Sequence, residues 1–310
     1  MSSACQARGI PITAFNLPIH PIDVSIPLTD GAGKALGLLA VRDGNDLLQA
    51  LALNTERNAA VHQARKAIRR IRSILYLCRK TFGKAARRIC CDLAELNAGL
   101  SDLRDAHVVM GTVDKLRQVP TSRTLTCLRR NLTTRRELLF EQALADDPDF
   151  LNRKRQVLLI LHSLQWLPWH RVSLHDLKMG LARSEKHVRQ AFHHAMADFS
   201  TPSLHRWRRK TRRLLMQLDV LEHTRMLERL HIEKAAEQEE AFREAVRILG
   251  ARQDLVTLSA AIMSLPPTDG LVALEGAIRI AFEACEHDLR QVAKLAYGFE
   301  NFLRTTRTQL

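Results

Sequence analysis

The sequence predicts an all-α protein built by internal duplication, and three observations carry that reading. Glycine (13) and proline (10) are scarce across 310 residues, and four of the prolines precede residue 28. The rest is rich in Leu, Ala, Arg and Glu, which lose little on entering a helix. A basic motif then occurs twice at one constant spacing, with four helical stretches around each copy.

The elements follow in chain order. Residues 1–30 place Pro11, Pro18, Pro21 and Pro27 among Ile10, Ile12, Ile19, Ile22, Val24 and Ile26. Prolines so close together forbid a helix, so this segment reads as an extended N-terminal arm. Asp30-Gly31 ends it. Helical periodicity predicts helices at about 34–53, 56–80, 84–117 and 122–145, the first half of the body, residues 31–145. Asp146-Asp147-Pro148-Asp149 is a stop and a fresh start. A short helix at 150–164 and the break at Trp166-Leu167-Pro168-Trp169 make residues 146–172 a connecting segment. Helices at about 174–199, 203–224, 226–263 and 269–306 form the second half, residues 173–310. Thr201-Pro202-Ser203 and Pro266-Pro267-Thr268-Asp269 bound them, with Gly250 as a kink point. No alternating strand pattern of useful length follows residue 30.

Charge points to the partner. Lys and Arg number 47 against 33 Asp and Glu, a net +14. That field favours an anionic partner. Arg outnumbers Lys, and a guanidinium suits bidentate contact with phosphate oxygens. Cys5, Cys78, Cys90, Cys91, Cys127 and Cys285 form neither a disulfide framework nor a CxxC pair. They read as reduced thiols. No apolar run is long enough for a membrane span, and no secretory signal is visible. The expected compartment is the cytoplasm, with no membrane partner.

The repeat lies in His62, Arg65, Lys66, Arg69, Arg70 and Arg72, matched by His205, Arg208, Arg209, Arg212 and Arg213. His62 and His205, Arg65 and Arg208, and Arg69 and Arg212 are each 143 residues apart. Downstream, Leu100 to Arg104-Asp105 is echoed by Leu249 to Gln253-Asp254. At about 100° per residue, the first basic set spans an arc of roughly 160° around His62, with Ile68, Ile71, Ile74 and Leu75 opposite. No acidic residue interrupts positions 57 to 91. The alternative is a solvated face, but exposed helices ordinarily mix signs to gain i,i+4 pairs. The unrelieved repulsion points to an anion. A histidine inside such an arc resists protonation until an anion arrives, and reads as a neutral or proton-sensitive donor to phosphate.

These residues resemble the CHAD family, the conserved histidine α-helical domains. The family pattern is His-x-x-Arg-x-x-x-Arg-Arg/Lys-x-Arg on one helix, with an Arg/Asn-Asp element on the next long helix, all repeated. His62 to Arg72 with Arg104-Asp105 match one half, and His205 to Arg213 with Asp254 the other, over about residues 34–306. The resemblance implies two four-helix bundles related by pseudo-twofold symmetry around a basic central channel. It also implies binding of inorganic polyphosphate and association with polyphosphate granules. Leu215 stands where the family has a third basic residue, Met216 where an aromatic or polar one is common, and Gln253 where Arg or Asn is usual. Weaker binding is therefore expected of the second half. The arm contains no Glu and is too short for the triphosphate-tunnel barrel that precedes some family members. A standalone domain without catalytic activity is expected.

Other signals are weaker. Gly31-Ala-Gly33-Lys34 lacks the remaining elements of a phosphate loop. His187, His194 and Asp198 share a helix face without a metal-binding signature. No cofactor or metal is expected. Arg129, Arg136, Arg290 and Lys294 read equally as extensions of the basic surface or as solvated positions. Asp105 and Asp254 read as carboxylates that orient the stripe arginines. The competing function is non-specific nucleic-acid binding through the same helices, since phosphate dominates affinity in both cases. Against it stand the few aromatic platforms and the few Asn/Gln in the stripes.

Overall fold

A computed structural model of the chain describes residues 31–52, 56–116, 123–263, 271–296 and 303–305. The N-terminal arm and the Pro266-Pro267-Thr268-Asp269 boundary lie outside the described residues. Eleven helices run through them: α1 (Ala32–Leu51), α2 (Arg57–Leu77), α3 (Arg79–Ala98), α4 (Ser101–Lys115), α5 (Arg123–Asp146), α6 (Leu151–Gln165), α7 (Leu174–Asp198), α8 (Thr201–His223), α9 (Met226–Arg229), α10 (Ala236–Met263) and α11 (Leu271–Ala296). The fold is all-α apart from one short antiparallel pair, β1 (Ile232–Lys234) with β2 (Leu303–Thr305). No described helix is long and apolar enough to cross a membrane.

Three expected helices are interrupted. The stretch expected at 84–117 starts at Arg79, kinks at Gly83 (φ 55°), and breaks at Gly99-Leu100 into α3 and α4. The stretch at 226–263 is preceded by Arg225 and cut at His231, both left-handed with φ of 54° and 51°. Neither is a glycine, so sequence gave no warning of α9 and β1. The last helix ends at Ala296, and residues 303–305 are extended.

Caps explain the starts that sequence did place. The Glu56 carboxylate accepts from the Ala59 N–H at 3.0 Å and opens α2. Ser173 and Asp176 form a reciprocal capping box on α7. Asp147 accepts the N–H groups of Asn152 and Arg153 at the head of α6.

Two sites of close approach set the helix spacing. A side chain at Gly33 would place its Cβ 1.8 Å from the Trp169 carbonyl oxygen, so α1 lies directly on the connecting segment. At Gly180 the Cβ would fall 2.2 Å from the Leu77 carbonyl oxygen, which seats α7 against the end of α2. α2 packs on α8, and α8 and α4 both pack on α10. One apolar cluster joins Val109 and Val113 of α4, Leu128 and Leu132 of α5, Leu258 and Ile262 of α10, and Leu274 and Ile278 of α11. This core therefore draws on helices from both sides of residues 146–172.

Gly180→Ala should destabilise the protein by about 1–3 kcal/mol, because neither backbone can yield. Gly111→Ala, at an exposed position of α4 where a Cβ meets nothing within 4 Å, should stabilise it by roughly 0.5–1 kcal/mol. Urea midpoints of the two variants moving in the same direction would contradict this packing.

Candidate anion-binding site

The site begins with the periodicity of α2. Arg65, Arg69, Arg72 and Tyr76 are spaced i, i+4, i+7 and i+11, which places them within roughly 60° of one another. Ala67, Ile68, Ile71, Ile74 and Leu75 are buried. On α8, Leu204, Trp207, Leu214, Leu215 and Leu218 are buried and hold the helix in place. The two helices meet at Ser73. Its hydroxyl donates to the Arg69 carbonyl at 2.8 Å and lies 3.7 Å from Met216 Sδ, while Gln217 Nε2 donates to its carbonyl at 3.1 Å.

Arg65, Arg69, Arg104, Arg208 and Arg212 converge between α2, α4 and α8, and each of the last four repels at least one other. Arg65 is held at the α3–α4 break: its Nη1 donates to the Asn97 carbonyl at 2.8 Å and to Ser101 Oγ at 3.0 Å. Arg104 Nη1 reaches Asp105 and Nη2 reaches Asp254, both at 2.9 Å. Both carboxylates are thus engaged by Arg104, one of them across from α10. Gly250 does not break α10. A Cβ there would stand 2.9 Å from Arg208 Nη2, so this glycine leaves room for the guanidinium.

Five guanidiniums thus face two carboxylates. Among the described residues Arg69 and Arg212 have no ion pair, and Arg69 Nε and Arg208 Nε are buried without a hydrogen-bond partner. Burial, then the positive neighbours Arg65, Arg208 and Arg104, pushes Arg69 down to about 10. Burial, then Arg69, Arg208, Arg65 and Arg104, pushes Arg212 down to about 9. Both stay charged at neutral pH, in an environment that disfavours charge.

The histidines sit at the edge of this field. Partial desolvation, then Arg69, Lys66 and Arg104, lowers the His62 pKa. Desolvation also lowers that of His205, against a hydrogen bond to Gln253 that raises it. His205 Nδ1 lies 3.1 Å from Gln253 Oε1. An amide oxygen only accepts, so Nδ1 carries the proton and the neutral ring offers Nε2 as an acceptor. His205 therefore needs a second proton before Nε2 can donate to phosphate. Gln253, a departure from the family pattern, is what fixes this tautomer.

The remaining motif residues go elsewhere. Arg70 Nη2 lies 3.0 Å from Asp43 Oδ1 of α1. The sequence shows no anion near this stripe, yet the fold brings one to it. Asp43 is buried, with a side chain 1% exposed. Neither of its oxygens receives an aligned hydrogen bond, and burial outweighs Arg70 and raises its pKa to about 6. Lys66 is exposed. Arg72 of α2 and Arg209 each act on Arg213, whose guanidinium lies over the Tyr76 ring. Leu215 is buried, and Arg213 rather than residue 215 faces Arg72.

The four supporting cations are occupied locally. Arg129 pairs with Asp114 at 2.7 Å, and Arg136 lies 3.9 Å from Glu137. Arg290 covers the Phe199 ring at 4.8 Å, and Lys294 Nζ is 3.4 Å from Gln291 Oε1. His187 contacts Tyr76, while Asp198 accepts from Ser200 and Ser203. Sequence reading missed Tyr76, Arg79 and Lys210, and weighed His187 only as a metal ligand. The stripe continues from Arg72 to Tyr76 with helical spacing, a signal that was available. Lys210 is half-buried among Arg213, Arg209 and Arg206.

The family model described as CHAD domain matches residues 44–262. The crystal structure of the CHAD domain from the plant Ricinus communis superposes with a TM-score of 0.60 at 17% identity, covering 89% of this chain and 93% of that one. At that identity the likeness concerns the fold. No curated protein matches the sequence.

Two outcomes follow from these charges. Arg70→Met should cost about 2 kcal/mol at pH 7, less than a fully buried pair because Arg70 is 31% exposed. The raised carboxylate pKa means that ionised Asp43 disfavours folding, so the loss should shrink as pH falls below about 6 and Asp43 takes up a proton. A loss independent of pH would contradict the pairing. Separately, Arg212→Met should raise the melting temperature of the ligand-free protein by about 2–4 °C, the size of a roughly 1 kcal/mol relief of repulsion. A lowered value in differential scanning calorimetry would show that the charge is not the burden.

Proposed function

The chain belongs to the CHAD domain family, and from that premise we propose that it is a non-enzymatic binder of inorganic polyphosphate. The observation that carries the reading is the cluster in which Arg69 and Arg212 lie among positive neighbours, with no carboxylate of their own among the described residues. A chain of phosphates supplies closely spaced negative charge to every guanidinium at once, as charge-assisted and often bidentate contacts.

We read α2 and α8 as two copies of one motif facing a shared basic passage. Ser73 and Met216, which match at the 143-residue spacing, touch one another, and the matched Arg69 and Arg212 act on one another. Both copies then serve one ligand, and association with polyphosphate granules follows from binding long chains. A catalytic reading would need carboxylates near the cluster that are free to hold a metal, and Arg104 engages both Asp105 and Asp254.

Non-specific nucleic-acid binding is the second reading. It needs stacking faces beside the phosphates. Near the cluster, Trp207 is fully buried and Arg213 lies over the Tyr76 ring.

The test is competition of long-chain polyphosphate against RNA, DNA and ATP at physiological salt. Polyphosphate should win, with log K falling against log salt by about 4–7 units if about six to ten phosphates are contacted, by analogy with about 0.7 per phosphate on single strands. Arg69→Glu with Arg212→Glu should weaken binding by at least roughly a hundredfold with helical content intact. Equal affinity for RNA would move the function to nucleic acid, and a flat salt response would end the electrostatic reading.

A further inference from the structure

A second group of cations gathers around Tyr76, outside the repeated motif's first cluster. The Arg213 guanidinium carbon lies 3.9 Å from the Tyr76 ring centroid and that of Arg79 lies 5.8 Å away. The Tyr76 hydroxyl is 3.1 Å from His187 Nδ1. Lys210 is half-buried beside Arg213 and Arg79. Among the described residues, none of Arg72, Arg79, Lys210 and Arg213 forms an ion pair with a carboxylate. The largest charge effects on His187 come from the cations Lys210, Arg213, Arg183 and Lys186. Four helices supply this group, and the close approach at Gly180 is what brings α7 and His187 to the end of α2.

We propose that Tyr76, Arg79, His187, Lys210 and Arg213 form a second phosphate subsite, which engages polyphosphate chains long enough to extend from the Arg69–Arg212 cluster. The proposal rests on the polyphosphate reading above and deepens it. Two features argue for a subsite rather than scattered surface charge. The Arg213 guanidinium lies over the Tyr76 ring, a cation–π contact that holds it beside Lys210 and Arg79. The two groups are also joined. Tyr76 lies about 10 Å along α2 from Arg69 on the same stripe, and Arg72, between them on that stripe, acts directly on Arg213. A ligand following the stripe meets cations continuously. A lone phosphate or a short oligomer occupies one group at a time.

The test uses the full chain with two probes, tripolyphosphate and long-chain polyphosphate, in calorimetric titrations. Arg79→Ser with Lys210→Ser should lower affinity for the long chain about tenfold or more, the loss of one to two charged contacts. It should also remove one class of tripolyphosphate sites and leave the class at the Arg69–Arg212 cluster. Arg69→Glu with Arg212→Glu should do the converse. If the Arg79/Lys210 variant binds both probes like wild type while the Arg69/Arg212 variant fails, the second subsite is wrong and the polyphosphate reading stands. If neither variant weakens binding, both are wrong. In the unaltered protein, tripolyphosphate should shift the His187 ring resonances and raise its titration midpoint. An unmoved His187 overturns the subsite without reliance on any variant.

Discussion

Repulsion between like charges is the constraint around which this molecule is arranged. Arg65, Arg69, Arg104, Arg208 and Arg212 cannot assemble by mutual affinity, so something else must hold their backbones together. That something is apolar burial on the far sides of the same helices. Ile68, Ile71, Ile74 and Leu75 of α2 and Trp207, Leu214 and Leu218 of α8 are buried almost completely. At about 25 cal/mol per Å² of apolar surface, a few such side chains outweigh several partly screened repulsions. The stability of the helices is thereby used to keep cations closer than they would choose. An anion entering there gains contacts and also relieves a strain already present.

Partners separate the structural arginines from the unsatisfied ones. Arg70 is committed to Asp43, Arg104 to Asp105 and Asp254, and Arg65 to the Asn97 carbonyl and Ser101. These contacts lock α1 to α2, α4 to α10, and α2 to the α3–α4 break. Arg69 and Arg212 lack such commitments among the described residues. Identical residue types in one motif therefore do different work, and a helical wheel cannot tell them apart.

Much of this was legible beforehand. Periodicity placed most helices within a few residues, and the offset of 143 identified the two helices that meet. What stayed hidden has physical reasons. The break at Gly99-Leu100 is stabilised by Arg65, whose hydrogen bond to the Asn97 carbonyl is a tertiary contact. The turns at Arg225 and His231 use left-handed backbone without glycine. Asp43 lies outside the motif and meets Arg70 only after α1 folds back on α2. Tyr76 was visible as a residue, but the groups around it, Arg79 of α3, His187 of α7 and Arg213 of α8, come from three other helices, which no single-helix pattern contains.

The histidines show how these levels connect. Gln253 holds the Nδ1 proton of His205, so the neutral ring turns an acceptor outward, the wrong polarity for phosphate. Desolvation and the arginines keep the second proton off. On the proposed function, a bound polyanion would reverse both conditions, because its charge would offset the arginines and its oxygens would accept from Nε2–H. The depressed pKa would then rise on binding, a proton would be taken up with the ligand, and acidification through the gap between the free and bound values would favour the complex. His62, under Arg69, Lys66 and Arg104, experiences the same field without an amide to fix its tautomer. The two motif histidines are therefore not equivalent: His205 has an amide at Nδ1, whereas His62 has none and either of its nitrogens can carry the proton while the ring is neutral.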